Sequence, residues 1–280
     1  MPFLIQAEVR YSVFQRSTAL LNIHALHTPG QILSDESFTL DPRVACEEFV
    51  SQTGENRYIR LDTEGATALD VRYSVRAQTH PTVVPSEEIN AIPIARLDRE
   101  ALPYLFPSRY CQSDRLGRLA WKMFGDLPHP FQKASALTQW IRENVEYISG
   151  SSDASTSAFD TVTQRAGVCR DFAHLGIALC RALSIPARYL TCYAYQLSPP
   201  DFHACFEACI GNRWFVFDAT GLAPLNGLVR IANGRDAADA SIATIVGNMR
   251  CDSLNIDITH EGEPFTPFHA TEGGPGVILE

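Results

Sequence analysis

RAGVCRDFAHLGIALCRALSIPARYLTC, residues 165–192, is the stretch on which the fold of this chain turns. Phe172, Leu175, Leu179 and Leu183 recur at three- and four-residue intervals, the spacing of one apolar helical face. The helix is expected to begin near Val168 and to stop before Ile185-Pro186, because proline lacks the amide hydrogen and disfavours a helical predecessor. Cys169 then falls in the first turn, where free amide hydrogens and the positive end of the helix dipole favour a thiolate over a thiol. Gly167 permits close backbone approach, so a substrate carbonyl can meet the cysteine's own amide, and Ala173 and Gly176 let the helix pack tightly on a sheet. Two readings stay open on this evidence: a buried structural thiol, or a nucleophile mounted on a helix.

Downstream, HACFEACI and RWFVFDAT read as strands joined by Gly211-Asn212. A two-residue turn makes residue 210 face 213 and 205 face 218, with His203 diagonal to Asp218 on one face. Cys205, Glu207, Cys209, Trp214, Val216 and Thr220 share that face. A carboxylate beside an imidazole fixes its tautomer and supports its protonated form, which supplies a base and an orienter for a nucleophile. A one-residue slip would undo the pairing. The competing reading is a His-Asp pair that only stiffens the sheet.

Ahead of these segments, AEVRYSVF, TALLNIHALHT, RYIRLDTEG and TALDVRYSVRAQT alternate as strands of an antiparallel sandwich or small barrel. THPTVVPSEEINAIPIARLD is a proline-punctuated connector. DRLGRLAWKMFG and FQKASALTQWIRENVEYI are helices, the second aligning Leu137, Trp140, Ile141 and Val145, and Ser157 is placed to cap a short helix before Cys169. ARYLTCYAY and CDSLNIDITH complete the strands, and the glycine- and proline-rich tail EGEPFTPFHATEGGPGVILE is expected to be extended or loosely ordered. The fold class is α+β: a β-sandwich-like domain over residues 1–90, a helix-and-sheet core over 91–260, and a tail over 261–280.

The 280 residues carry 23 basic and 32 acidic side chains, a formal net charge of -9, with no basic block to bind a phosphate backbone. Nucleic acid is therefore excluded as main partner. Glu8 and Arg10 interrupt the opening apolar run and no span of 18 or more apolar residues occurs, so neither an export signal nor a membrane partner is expected. Eight cysteines without a C-x-x-C pair fit reduced thiols and a cytoplasmic location. Cys169, His203, Cys205 and Asp218 offer atoms that bind zinc, yet without close cysteine spacing no metal and no cofactor is expected.

RAGVCRDFAHLGIALCRALSIPARYLTCY followed by DFHACFEACIGNRWFVFDAT resembles the transglutaminase-like superfamily, in particular its bacterial branch of transglutaminase-like enzymes and cysteine proteases. The resemblance implies a papain-like core with Cys169 of GVCRD as nucleophile, His203 of FHACFE as base and Asp218 of VFDAT as orienter. YSVFQRSTALLNIHALHTPGQILSDESFTLDP and TALDVRYSVRA resemble the strand domain that often precedes this core, and GLVRIANGRDAADA its usual continuation. One departure stands out: where members often carry tryptophan-valine-glutamate, this chain has Cys205-Phe206-Glu207.

The expected chemistry is acyl transfer from a peptide or protein amide, with the Cys169 amide as first oxyanion donor. Gln164 is either a second donor or a helix-cap contact. Hydrolysis by a cysteine protease or amidase is favoured; glutamine deamidation, γ-glutamyl transfer to an amine, or a scaffold on an inactive core are the alternatives. His174, roughly 140° around the helix from Cys169, reads as a packing or surface residue. Asp171 interacts favourably with the helix dipole, although its closeness to Cys169 opposes a thiolate. Arg235 and Asp236 read as a turn, and His24, His27 and His80 are assigned no chemistry.

Overall fold

The computed structural model describes residues 1–51 and 56–279. Strands β1 (Pro2–Val13), β2 (Thr18–Leu21), β3 (Gln31–Asp41), β4 (Cys46–Val50), β5 (Arg57–Asp62), β6 (Ala68–Thr79) and β7 (Thr82–Val84) come first. Helices α1 (Ser113–Phe124) and α2 (Pro130–Asn144) follow, then β8 (Glu146–Tyr147), α3 (Ala158–Gln164), β9 (Ala166–Gly167) and α4 (Cys169–Ala182). Strands β10 (Ala187–Ala194), β11 (Phe202–Ile210), β12 (Arg213–Phe217) and β13 (Leu228–Gly234) form the next group. The short α5 (Ala237–Ala240), β14 (Ala243–Val246), β15 (Met249–His260) and β16 (Gly276–Ile278) end the chain.

Alternation builds the N-terminal sheets. Phe3, Ile5, Ala7, Val9, Tyr11 and Val13 of β1 are all buried, as are Leu69, Val71, Tyr73, Val75 and Ala77 of β6, so each strand offers one apolar face. The two sheets run β15-β1-β6-β3 and β14-β2-β5-β4. Beyond them, α4 lies on a third sheet, order β12-β11-β10-β13, with α1, α2 and α3 packed around it. This is the expected α+β arrangement. Gly176 sets the closeness of helix to sheet: a Cβ there would stand 2.4 Å from Cε1 of Phe206, which is fully buried.

Four local expectations are corrected. TALLNIHALHT is strand only over Thr18–Leu21; Asn22 to His27 leave the sheet, and the Asn22 and Leu26 amides donate to the carbonyls of Ile242 and Arg230. The strand within CDSLNIDITH forms, but β14 and β15, expected in the core of 91–260, hydrogen-bond instead to β2 and β1 of the N-terminal sheets. The presumed connector contributes β7, which pairs with β16. The tail is accordingly not loose at its end: Val277, Ile278 and Leu279 are buried, and Gly276 sits against Phe215 at a distance no Cβ would permit. β3, β4 and β13 were not among the strands expected from alternation.

A buried ion cluster fixes the register of the third sheet. Glu207 on β11 is fully buried, and its Oε2 accepts from Arg188 Nε of β10 at 2.6 Å and from Arg230 Nη2 of β13 at 3.3 Å. Burial would push the Glu207 carboxyl up, but the two guanidinium charges hold it below its ordinary value. Removing one partner of such a cluster leaves charge stranded in the interior. Glu207→Ala is expected to destabilise the fold by about 3–5 kcal/mol, measured by urea unfolding; a loss under about 1 kcal/mol, the worth of a surface pair, would contradict this.

Candidate active site

Cys169 is the first residue of α4 and is only half-buried. The approach to it is rigid. Val168 is extended, and its amide donates at 2.9 Å to Oδ2 of Asp171, a fully buried carboxylate in the first helical turn. Arg170 lies 3.4 Å from the other Asp171 oxygen and donates to the Asp153 carbonyl at 2.6 Å, tying the helix start to the loop before α3. Asp171 therefore caps the turn beside a cation, which offsets its opposition to negative charge on the sulfur. Gly167 is required here: a Cβ would stand 2.7 Å from the Cβ of Asp171.

The hairpin register is the one the turn implied. Ile210 faces Arg213, Cys209 faces Trp214 and Phe206 faces Phe217, with Gly211 and Asn212 at φ of 63° and 60°, the paired left-handed residues of a type I′ turn. Extended to its open end, this register brings His203 to Asp218, with Nε2 3.0 Å from Oδ2. Both are buried, at 1% and 3% exposure. The other Asp218 oxygen accepts from the Thr220 amide at 2.8 Å and the Thr220 hydroxyl at 2.7 Å, and Arg142 of α2 donates to the Asp218 carbonyl at 3.0 Å. Thr220 was expected on this face; Arg142 carried no signal in the sequence.

Electrostatics bind the pair. Burial would lower the His203 pKa, yet the Asp218 charge and hydrogen bond, with a further hydrogen bond to the Cys169 side chain, hold it well above the ordinary value. Burial would raise Asp218, and the His203 charge with the hydrogen bonds from His203 and Thr220 brings it below. Sulfur, imidazole and carboxylate thus form one connected set.

A tyrosine completes the surroundings. The parallel pair β8–β9 sets Tyr147 opposite Gly167, and the Ile148 amide donates to the Gly167 carbonyl at 3.0 Å. The Tyr147 hydroxyl meets both the backbone and the side chain of Cys169, its ring centroid is 5.8 Å from that of Phe172, and its pKa is pushed up to about 12, first by burial and then by the Cys169 charge. Gln164 ends α3 on an exposed face, and among the described hydrogen bonds none joins its side chain to Cys169. His174 is buried, its Nε2 accepts from the Ala237 amide at 3.1 Å, and its ring stacks on Tyr110, a packing residue as expected. Asp236 caps the turn into α5 and Arg235 pairs with Asp239. His24, beside the N-terminal sheets, lies 3.4 Å from Glu48, away from this site.

The groups around His203 are Asp218 just after β12, Cys205 on β11, Cys169 on α4 and Asp201 just before β11. Asp218→Asn removes the dominant favourable charge. The His203 ring protons are expected to titrate above 6.5 by NMR in the native protein and at clearly lower pH in Asp218→Asn; coincident curves would contradict the pairing.

The family model of the Transglutaminase-like superfamily matches residues 118–219, and that of the bacterial transglutaminase N-terminal domain matches residues 1–100. A crystal structure described as a putative cysteine protease from Cytophaga hutchinsonii is 49% identical, with a TM-score of 0.97 over 100% of this chain and 98% of that one. An uncharacterized protein of Mycobacterium leprae is 26% identical over 213 residues, 69% of this chain and 76% of the relative. One from Mycobacterium tuberculosis is 30% identical over 146 residues, and the matched region spans under half of either chain.

Proposed function

Because this chain belongs to the transglutaminase-like superfamily, we propose that it is a thiol-dependent enzyme that hydrolyses peptide or protein amides, with Cys169 as nucleophile, His203 as base and acid, and Asp218 as orienter. The single observation carrying this reading is the continuous path from a half-buried thiol at a helix start, through a buried imidazole, to a buried carboxylate. His203 takes the Cys169 proton while the sulfur attacks the amide carbonyl. Asp218 stabilises the imidazolium, which then gives its proton to the departing amine or ammonia. Water, deprotonated by His203, attacks the thioester, and the acid leaves as the thiol is restored.

Two donors suit the oxyanion. The Cys169 amide is one. The other is Tyr147: like any tyrosine it carries its hydroxyl proton at neutral pH, and it already sits against that amide. Tyr147 takes the role for which Gln164 was considered. Tyr147 is 44% exposed, so solvent reaches the mouth of the site, which supports water as acceptor over an excluded-water transfer to lysine. Eight scattered cysteines without a C-x-x-C pair support a cytoplasmic location; no helix among the described residues is long and apolar enough to cross a membrane. Two folding units, 1–90 and 91–260, remain the proposed division, with β14 and β15 shared across it.

On a peptide library, Cys169→Ala is expected to abolish turnover, and mass spectrometry is expected to find cut chains or lost ammonia. Isopeptide products would assign γ-glutamyl transfer instead, and wild-type rates in Cys169→Ala would end the proposal. Tyr147→Phe is expected to lower kcat by roughly 10²–10³ with KM little changed, the usual cost of one oxyanion donor; an unchanged kcat would remove Tyr147 from the mechanism.

A further inference from the structure

The departure at Cys205 has a chemical consequence. Alternation and the hairpin register put His203, Cys205 and Asp218 on one face, and their ligating atoms all lie within 4.8 Å of one another. His203 Nε2 and Asp218 Oδ2 are already 3.0 Å apart. Tetrahedral zinc, with bonds of about 2.0–2.3 Å to nitrogen, oxygen and sulfur, needs ligand atoms roughly 3.3–3.8 Å apart, so closure asks for shifts of about an ångström or less. The three side chains are almost wholly buried, His203 and Cys205 on β11 and Asp218 just past the end of β12, a setting unlike an exposed acidic cluster. A second sulfur stands close by: Cys192 pairs with His203 across β10 and β11, its Sγ is 3.7 Å from the His203 carbonyl, and its thiol meets that of Cys205.

We infer that this face is a binding site for a divalent cation of borderline softness, zinc foremost, ligated by His203, Cys205 and Asp218, and that its occupation switches the enzyme off. One thiolate and one carboxylate neutralise a dication, so no net charge is left in the buried space. Binding forms three metal–ligand bonds and releases to solvent the Cys205 thiol proton and the proton His203 shares with Asp218. The imidazole then no longer has Asp218 as its hydrogen-bond partner and is fixed by the metal, so Cys169 loses its base. The inhibitory consequence rests on the triad reading above; the binding site does not.

The test uses Cys169→Ala protein, which lacks the nucleophile, stripped with a chelator and dialysed against zinc, with cobalt(II) as the spectroscopic probe. One zinc per chain is expected, with a sulfur-to-cobalt charge-transfer band. Adding Cys205→Ala, or Cys205→Ser should the first fail to keep the native circular dichroism, is expected to abolish the band and weaken zinc by roughly tenfold or more. In protein retaining Cys169, zinc is expected to inhibit hydrolysis, and Cys205→Ala to keep the metal-free rate while losing the inhibition. No zinc on Cys169→Ala, or zinc held equally tightly without Cys205, overturns the site. A cobalt band in a protein with no metal-free activity toward any amide would uphold the site and refute the triad reading; activity without the band would do the reverse.

Discussion

One hairpin register governs the site. Gly211 and Asn212 at positive φ close a two-residue turn whose twist matches the strands, and that turn counts residues outward until His203 and Asp218 share a face. A slip of one residue would send the imidazole to the opposite side, where Phe206 packs under α4 and stacks on Phe217. The register is held by more than its turn: Gly211 lies so close to the Asn90 carbonyl that a Cβ would stand 2.3 Å away, and the Glu207 cluster ties β11 to both β10 and β13. The other requirement, a thiol delivered to the imidazole, falls to the start of α4, where buried Asp171 caps Val168.

Those features were legible because they are local. The 3.6-residue period of α4, its stop before Pro186, the Ser157 cap and the hairpin of β11 and β12 each depend on residues within a few positions of one another, and the structure bears them out. The resemblance to the transglutaminase-like superfamily rested on the same short segments, and the family matches cover them.

What escaped depends on distance along the chain. Alternation says that Met249–His260 is a strand but not that its partner is β1, some 240 residues earlier. β3 escaped because most of its residues are exposed and its register shifts between Ser34 and Ser37, where Asp35 has a φ of 50°, so no clean two-residue period survives. The tail looked loose because its composition suits a loop, yet its last residues join Cys205, Leu190 and Val216 in a small apolar cluster behind the triad. Tyr147 is the residue of the proposed site most hidden from sequence: 22 positions before Cys169, it meets that residue only through the parallel pairing of β8 with β9. Gln164 was nearer in sequence but ends its helix facing solvent.

The central claim is that one thiol among eight is activated by one imidazole. Competitive alkylation with iodoacetamide at neutral pH, followed by peptide mapping of all eight cysteines, measures this directly. The account predicts that Cys169 reacts far faster than the rest, including the exposed Cys46 and Cys251, and that His203→Ala slows Cys169 alone. Sluggish labelling of Cys169 at the rate of Cys46, or fast labelling that survives His203→Ala unchanged, would contradict it.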